Sequence, residues 1–255
     1  MTAGPPTLLA SAALALGTAV GFAIVGRSVA SRAAPAGGGR GALAMFQLFW
    51  ASAFAVWTTQ GLASLAGGLG FASLAFNSAL DQVSSPFYCL AAASLLYYVL
   101  YLVTGRERLL LPILVYYGVM WLLLRWRVEF AQRLDVKVNA WSVGFVYATP
   151  LQGWPYTLVI LGISGPLLLA ILGYASLWFH VEQPLVRYRI ALVTLGLVGW
   201  VGTESLVFAL GLADTAAGEL TRRAVALAST IVIFLAYKPP DAWRMRLDRA
   251  HPVEA

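Results

Sequence analysis

The stretch GLVGWVGTESLVFALGL, residues 196–212, is an apolar run that contains a single charged residue, Glu204. A helix of about 20 apolar residues spans the roughly 30 Å hydrocarbon core of a bilayer. An acid at the centre of such a helix costs about 2.5–3.5 kcal/mol on insertion scales, so it requires either a partner or a function. The stretch therefore predicts a membrane helix that carries a carboxylate close to its midpoint.

The whole chain has a composition suited to lipid. Of its 255 residues, 60% are hydrophobic and only 11% are charged, whereas soluble domains carry about 25% charged residues. The apolar runs do not alternate with polar residues, as transmembrane strands would. We therefore predict an all-α integral membrane protein, a bundle of seven transmembrane helices at about 7–26, 43–65, 79–104, 109–125, 154–179, 190–212 and 221–238.

The distribution of Lys and Arg predicts the orientation, because loops on the cytoplasmic side carry an excess of both. Seven spans place the two termini on opposite sides of the membrane. With the N-terminus outside and the C-terminus inside, 11 basic residues fall on the inner side and 6 on the outer side, which together are the 17 of the chain. We expect a multi-pass protein of the cell membrane, with one transmembrane domain over 1–240 and a short cytoplasmic tail over 241–255.

The longest segment predicted outside lipid is 125–153, between helices four and five. Its middle, DVKVNAWSVGFVYA, mixes β-branched and aromatic residues with polar ones in rough alternation, and Asn139-Ala140 can form a turn. This pattern predicts a short β-hairpin over the outer mouth of the bundle. An irregular loop with an interfacial helix is the alternative.

Other classes of function lack the residues that they need. The net charge of +6 comes without a Lys/Arg block, and the basic residues follow the ends of apolar runs, so they indicate lipid head groups rather than nucleic acid. Cys89 is the one cysteine, which excludes an intrachain disulfide and a cysteine pair for a metal. HExxH, CxxC, GxSxG and P-loop motifs are all absent. We predict neither catalytic residues nor a metal site.

Glu204 is the main candidate for a functional side chain. Trp200 lies one helical turn before it, on the same face. Arg222 and Arg223, in the first turn of the predicted seventh helix, are candidate partners. Two roles for Glu204 are open. It can bind a ligand, proton or ion, or it can stabilise the packing of helices six and seven.

Aromatic residues supply the remaining candidates. Phe46, Trp50, Phe54 and Trp57 follow one another at spacings that place them on one face of helix two. Such a face can stack on a flat or apolar ligand, or it can contact other helices or lipid. The predicted ligand-binding set is Glu204, Trp200, Trp57, Trp50 and Tyr117.

The helix count and orientation are similar to those of microbial rhodopsins, which attach retinal to a lysine in the middle of helix seven. Helix seven here reads RRAVALASTIVIFLAYKPP, and its one lysine, Lys238, stands at the inner end. A Schiff base at mid-membrane therefore has no attachment point, and the sequence predicts no cofactor.

Two functional hypotheses follow, and they differ in class. The first is a receptor or sensor module that binds a small or apolar ligand within the bundle and signals to a separate cytoplasmic or membrane partner. The second is a small transporter or channel in which Glu204 couples to a proton or ion. A non-catalytic structural subunit is the third reading. Because the predicted helices carry few polar residues at mid-membrane, the sequence favours the first.

Overall fold

The computed structural model of the chain describes residues 5–30, 40–151, 153–210, 212, 215–241 and 243. Within these residues, seven helical segments are long and apolar enough to cross a bilayer: Pro6–Ala30, Gly41–Gly68, Leu74–Thr104, Glu107–Ala131, Pro155–Phe179, Pro184–Val207 and Ala216–Tyr237. They confirm the predicted helical, multi-pass membrane architecture. Apart from residues 241 and 243, the predicted tail 241–255 lies outside the described residues.

The elements follow one another along the chain with short connections. Their bounds are α1 Pro6–Ala30, α2 Arg40–Gly68, α3 Leu74–Thr104, α4 Leu110–Ala131, β1 Arg133–Val138, β2 Val143–Tyr147, α5 Trp154–Ser176, α6 Pro184–Leu197, α7 Thr203–Ala209 and α8 Ala216–Tyr237. Short 3₁₀ turns at Glu107–Leu109 and Leu177–Phe179 flank α4 and α5, and a π-helical turn at Val198–Gly202 joins α6 to α7.

The helices pack around a core that runs along the bundle axis. α1 lies against α2 and α8, α2 against α3, α3 against α4 and α5, and α6 against α8. Phe22, Trp50, Leu197 and Ile233 are among the fully buried side chains. Leucines such as Leu111 and Leu169 point outward instead, each with 70% of its surface exposed. This outer apolar layer is the one that lipid covers in a membrane protein.

Three helices begin five or six residues earlier than the sequence predicted. α3 begins at Leu74 instead of about 79, since the hydroxyl of Ser73 accepts a hydrogen bond from the backbone N–H of Phe76 and caps the helix. The sixth span begins at Pro184 instead of about 190, because proline fits the first turn of a helix, and its helical backbone continues through the π-helical turn and α7 to Ala209. Glu204 therefore lies between the midpoint of this helical segment and its C-terminal end, and not at the midpoint. α8 begins at Ala216 instead of about 221, since the hydroxyl of Thr215 accepts a hydrogen bond from the backbone N–H of Gly218 and caps the helix.

Between α4 and α5, β1 and β2 pair antiparallel, with Val138 opposite Val143 and Arg133 opposite Tyr147. The backbone N–H of Asn139 donates to the carbonyl oxygen of Ser142 over 2.8 Å and closes the turn. α4 ends at Ala131, and the positive φ of 51° at the next residue, Gln132, turns the chain into β1.

The two strands contact one end of the bundle, which we call the hairpin end, through hydrogen bonds and ion pairs. The opposite end, where α8 finishes at Tyr237, is the tail end. Ser11 of α1 donates from its hydroxyl to the carbonyl oxygen of Trp141 over 2.6 Å. Arg133 of β1 pairs with Asp81 of α3, and Asp81 also lies 3.6 Å from a guanidinium nitrogen of Arg125.

We expect Asp81→Asn to loosen the strands from α3, because it removes the acid that Arg133 and Arg125 share. Partly exposed ion pairs of this kind contribute roughly 0.5–1 kcal/mol, so cleavage by trypsin after the exposed Lys137 should become about two- to fivefold faster. Glu129→Gln, which removes the partner of Arg125 on α4 and leaves Asp81 in place, is the control. An unchanged cleavage rate in Asp81→Asn would contradict the conclusion that Asp81 holds the strands to α3.

Candidate functional site

Glu204 belongs to a group of four charged side chains at the hairpin end, which we call the four-charge cluster: Glu204 of α7 with Glu219, Arg222 and Arg223 of α8. Arg222 donates to a carboxylate oxygen of Glu204 over 3.1 Å and to both carboxylate oxygens of Glu219 over 3.0 Å. Arg223 donates to Glu219 over 3.3 Å. Two acids and two guanidinium groups give the cluster no net formal charge.

The cluster lies mostly away from solvent and lipid. Exposure of the side chains falls from 15% for Glu204 to 13% for Arg222, 9% for Glu219 and 3% for Arg223. Removing one member of such a buried set leaves an uncompensated charge, which is strongly destabilising. The four side chains therefore act as a unit.

Arg223 extends the cluster to the first two helices. Its guanidinium group donates to the backbone carbonyl oxygen of Ser11 in α1 over 3.3 Å and to the hydroxyl of Ser64 in α2 over 3.1 Å. With the Glu204–Arg222 contact, the cluster connects α1, α2, α7 and α8. Glu204 is thus linked to α1 and α2 through the charged side chains of α8.

The local sequence explains why these residues meet. On α8, Glu219, Arg222 and Arg223 stand at positions i, i+3 and i+4, which share one helical face. On the other side, the π-helical turn Val198–Gly202 comes directly before α7, and such turns occur frequently at functional sites. Gly199 in this turn brings the backbone close to α8, since a Cβ there would lie 2.9 Å from the hydroxyl oxygen of Ser229.

A cavity of about 200 Å³ opens beside the cluster, between α2, α3, α5 and the π-helical turn. Its walls are mainly apolar and aromatic, and its polar residues lie toward the hairpin end. The lining residues are Phe49, Ala53, Val56, Trp57, Gln60, Asp81, Ser84, Ser85, Tyr88, Ala91, Ala92, Leu124, Tyr156, Ile160, Leu167, Trp200, Val201, Glu204, Ser205 and Arg222.

Aromatic side chains form a floor beneath this cavity, on the side of the tail end. Trp50 packs edge-on against Phe49 and Phe46, with ring centroids 4.6 and 5.4 Å apart. Phe22 lies 5.7 Å from Trp50 and 4.8 Å from Trp200. These rings pack against Phe49 and Trp200, which line the cavity.

Above the cavity lies a more polar space of about 190 Å³. Ser142, Val143 and Phe145 of the hairpin contribute to its lining, together with Glu219 and Arg223. The two spaces share four residues in their walls: Gln60, Asp81, Ser84 and Arg222. A polar vestibule at the hairpin end therefore adjoins the apolar cavity.

Three buried polar atoms around the cavity have no hydrogen-bond partner among the described residues. They are the indole nitrogen of Trp57, the amide oxygen of Gln60 and the Nε of Arg222. Buried polar groups are satisfied in most native structures, and one left unpaired costs about 1–3 kcal/mol. All three atoms are closed off from water-sized molecules as well as from partners within the described residues.

The structure brings together three of the five residues that the sequence proposed as ligand-binding. Glu204, Trp200 and Trp57 all line the cavity, and Arg222 is confirmed as the partner of Glu204. Trp50 does not line it, because it is fully buried in the floor. Tyr117 does not line it either, since its hydroxyl donates to the carbonyl oxygen of Ile163 and holds α4 to α5.

Sequence reasoning missed Glu219, which contacts both arginines. The predicted seventh helix began at 221 and left this acid in a loop. The spacing E-x-x-R-R, residues 219–223, was the available signal, because it places an acid one turn before two basic residues on the same helical face. Within the part of the chain that the structure describes, no three His, Cys, Asp or Glu residues are grouped so that they could hold a metal ion.

No protein-family model, curated protein or solved structure matches this chain.

Proposed function

We propose that the protein is a membrane receptor or sensor module that binds a small, largely apolar molecule in the cavity beside Glu204. The observation that supports this proposal best is the form of the cavity, which has aromatic walls, an aromatic floor and a polar rim at one end. Ligand sites in proteins are typically concave and mainly apolar, with a few polar groups that orient the ligand.

A ligand in the cavity would contact the elements that connect the two ends of the bundle. Trp200 lies in the π-helical turn, and Arg222 lies on α8, which continues to the tail end at Tyr237. A ligand that favours one arrangement of the four-charge cluster would shift α8 relative to α1 and α2. In the proposed orientation in the cell membrane, the hairpin end is outside, and the shift reaches a separate partner at the cytoplasmic tail end.

The binding proposal is tested by blocking the cavity. Ala92 of α3 is 3% exposed and lines it, so Ala92→Phe places a ring in the space. In purified protein, single-ring fragments at 100 times their Kd should stabilise the wild type by about 2.7 kcal/mol and leave Ala92→Phe unaffected.

Ala51→Phe is the control, because Ala51 lies on the exposed face of α2 and the new ring points away from the cavity. This variant should retain the full stabilisation. Fragments that stabilise Ala92→Phe and the wild type equally would contradict a ligand site in the cavity.

A transporter is the second candidate, and the adjacency of the two spaces favours it. A route from the vestibule into the cavity would pass Arg222, and Glu204 would be the coupling group. The aromatic floor argues against passage, so we expect proteoliposomes with the protein to show no proton flux above empty liposomes. Flux that Glu204→Gln abolishes would replace the receptor proposal with the transporter.

A further inference from the structure

We infer that the cavity and the vestibule together hold one amphiphile, with an uncharged polar head group in the vestibule and an apolar chain in the cavity. This inference rests on the proposed ligand site and names the chemical class of its occupant. It is drawn from the order of the two spaces along the bundle, the polarity of their linings and the pairing of their charged side chains.

The two spaces follow one another along the same helices. On α2, which runs toward the hairpin end, residues from Phe49 to Gln60 line the cavity and residues from Thr59 to Ser64 line the vestibule. On α3, which runs away from that end, residues within 77–84 line the vestibule and residues within 81–92 line the cavity. Because the two linings overlap on both helices, one elongated molecule can occupy both spaces.

The depth of the cavity suits a chain. Its lining residues on α2, from Phe49 to Gln60, extend over about 16 Å of the helix axis. One leaflet contributes half of the hydrocarbon core of a bilayer, which is roughly 30 Å thick in total. The cavity lining therefore extends about as far as the acyl chains of a single leaflet.

Polarity changes along the site in the same direction as in a leaflet. Phe49, Ala92 and Leu167 line the cavity, whereas Asn77 and Ser142 line the vestibule at the hairpin end. A polar head group placed between apolar walls loses its hydrogen bonds with water, and an apolar chain gains free energy with the apolar area that it buries. The head group therefore belongs in the vestibule and the chain in the cavity.

Charged side chains around the vestibule are already paired with one another. Glu219 accepts hydrogen bonds from Arg222 and Arg223, and Asp81 pairs with Arg133 and lies 3.6 Å from Arg125. A charged head group would have to take one member of these pairs and leave the other without its partner, which is costly away from water. An uncharged head group with hydroxyls, which both donate and accept hydrogen bonds, avoids that cost.

The experiment locates the two ends of a bound amphiphile in the full-length protein in lipid nanodiscs. Two photoprobes based on 1-decanoylglycerol carry a diazirine either at the last carbon of the chain or on the glycerol head, and mass spectrometry identifies the labelled residues. We expect the chain-end probe to label cavity residues such as Phe49 and Leu167, and the head probe to label vestibule residues such as Ala63 and Phe145. Excess unlabelled 1-decanoylglycerol should suppress both labels.

Charged analogues test the head group. Decyl sulfate and decyltrimethylammonium have chains of similar length with a permanent negative or positive charge. Each should need at least about tenfold more compound per lipid than 1-decanoylglycerol to halve the chain-end label, because it breaks an existing ion pair.

A variant that fills the vestibule alone tests whether the head group lies there. Ala63 lines the vestibule and not the cavity, so Ala63→Trp should weaken competition by 1-decanoylglycerol about tenfold, roughly the effect of one or two buried hydrogen bonds. Stabilisation by toluene, which needs the cavity alone, should persist and show that the variant is folded. Ala79→Trp is the matched control, because Ala79 is exposed on α3 and lies outside both linings, and it should change neither result.

The outcomes separate the inference from the proposed function. Reversed positions of the two labels, the same residues labelled by both probes, or equal competition by the charged analogues overturns the inference. An unchanged affinity for 1-decanoylglycerol in Ala63→Trp, or a loss of toluene stabilisation in the same variant but not in Ala79→Trp, also overturns it. In these cases, toluene stabilisation of the wild type that Ala92→Phe abolishes leaves the proposed ligand site in place. If neither toluene nor 1-decanoylglycerol binds saturably to the wild type, the proposed ligand site itself fails.

Discussion

Replacing Glu219 by glutamine is expected to lower the free energy of unfolding by about 3–5 kcal/mol, which is the usual cost of breaking a buried ion pair from one side. Glu219 accepts hydrogen bonds from Arg222 and Arg223. With its charge removed, Glu204 is left as the single acid beside two buried guanidinium groups. The cluster then carries one uncompensated positive charge.

This loss is measured by unfolding the purified protein in mixed micelles with increasing dodecyl sulfate, followed by circular dichroism. Glu107→Gln is the matched control, because Glu107 is exposed beyond the end of α3, and its stability should stay within about 0.5 kcal/mol of the wild type.

The double variant Glu219→Gln/Arg223→Gln tests whether charge balance is the cause. It leaves Glu204 paired with Arg222 and restores neutrality, so it should be less destabilised than the sum of the two single variants. Interaction energies of roughly 0.5–3 kcal/mol are typical of such coupled residues. Additive losses would mean that the four side chains do not act as a unit.

The second large effect is expected at Gly196, where α6 lies against α8. A Cβ added there would lie 2.4 Å from Cγ1 of Ile233 and 3.0 Å from the backbone oxygen of Ser229. Because a backbone atom cannot rotate away as a side chain can, Gly196→Ala must push the two helices apart. Overpacking of this kind costs about 1–3 kcal/mol.

Gly118→Ala is the matched control for Gly196→Ala. Gly118 lies inside α4, and a Cβ there would meet no atom within 4 Å, so the exchange should be neutral or stabilise by up to about 1 kcal/mol through helix propensity. The same dodecyl sulfate titration measures both variants. If Gly196→Ala were as stable as Gly118→Ala, the close packing of α6 on α8 would be disproved.

The sequence allowed the helices to be counted but not their ends to be placed. An apolar run is visible because lipid requires it, so all seven runs could be found from composition alone. Their ends depend on contacts within the bundle. The sequence predicted a loop before about residue 190, because Arg187 and Arg189 follow Pro184 closely. All three residues belong to α6. Because of this difference, Glu204 lies nearer the hairpin end of the helix than the sequence predicted.

Part of the candidate site could also be predicted from the sequence, because a charged residue stands out in an apolar run. Glu204 could be identified because it is an acid in an apolar run, and Arg222 and Arg223 could be predicted as candidate partners. Helical spacing places Trp50 and Trp57 on one face of α2, but it does not show which of them reaches the cavity. The seven residues between their positions correspond to about 10 Å along the helix axis. One therefore lies in the floor and the other in the cavity wall. Such depth is set by packing between helices, which a single sequence does not display.

Photolabelling with a phenyl diazirine tests the ligand site most directly, because mass spectrometry locates the labelled residues. With the protein in nanodiscs, we expect label on cavity residues such as Trp57, Tyr88 and Trp200, and excess toluene should suppress it. Label confined to outward-facing residues such as Leu111 and Leu169, unaffected by the competitor, would contradict a ligand site inside the bundle.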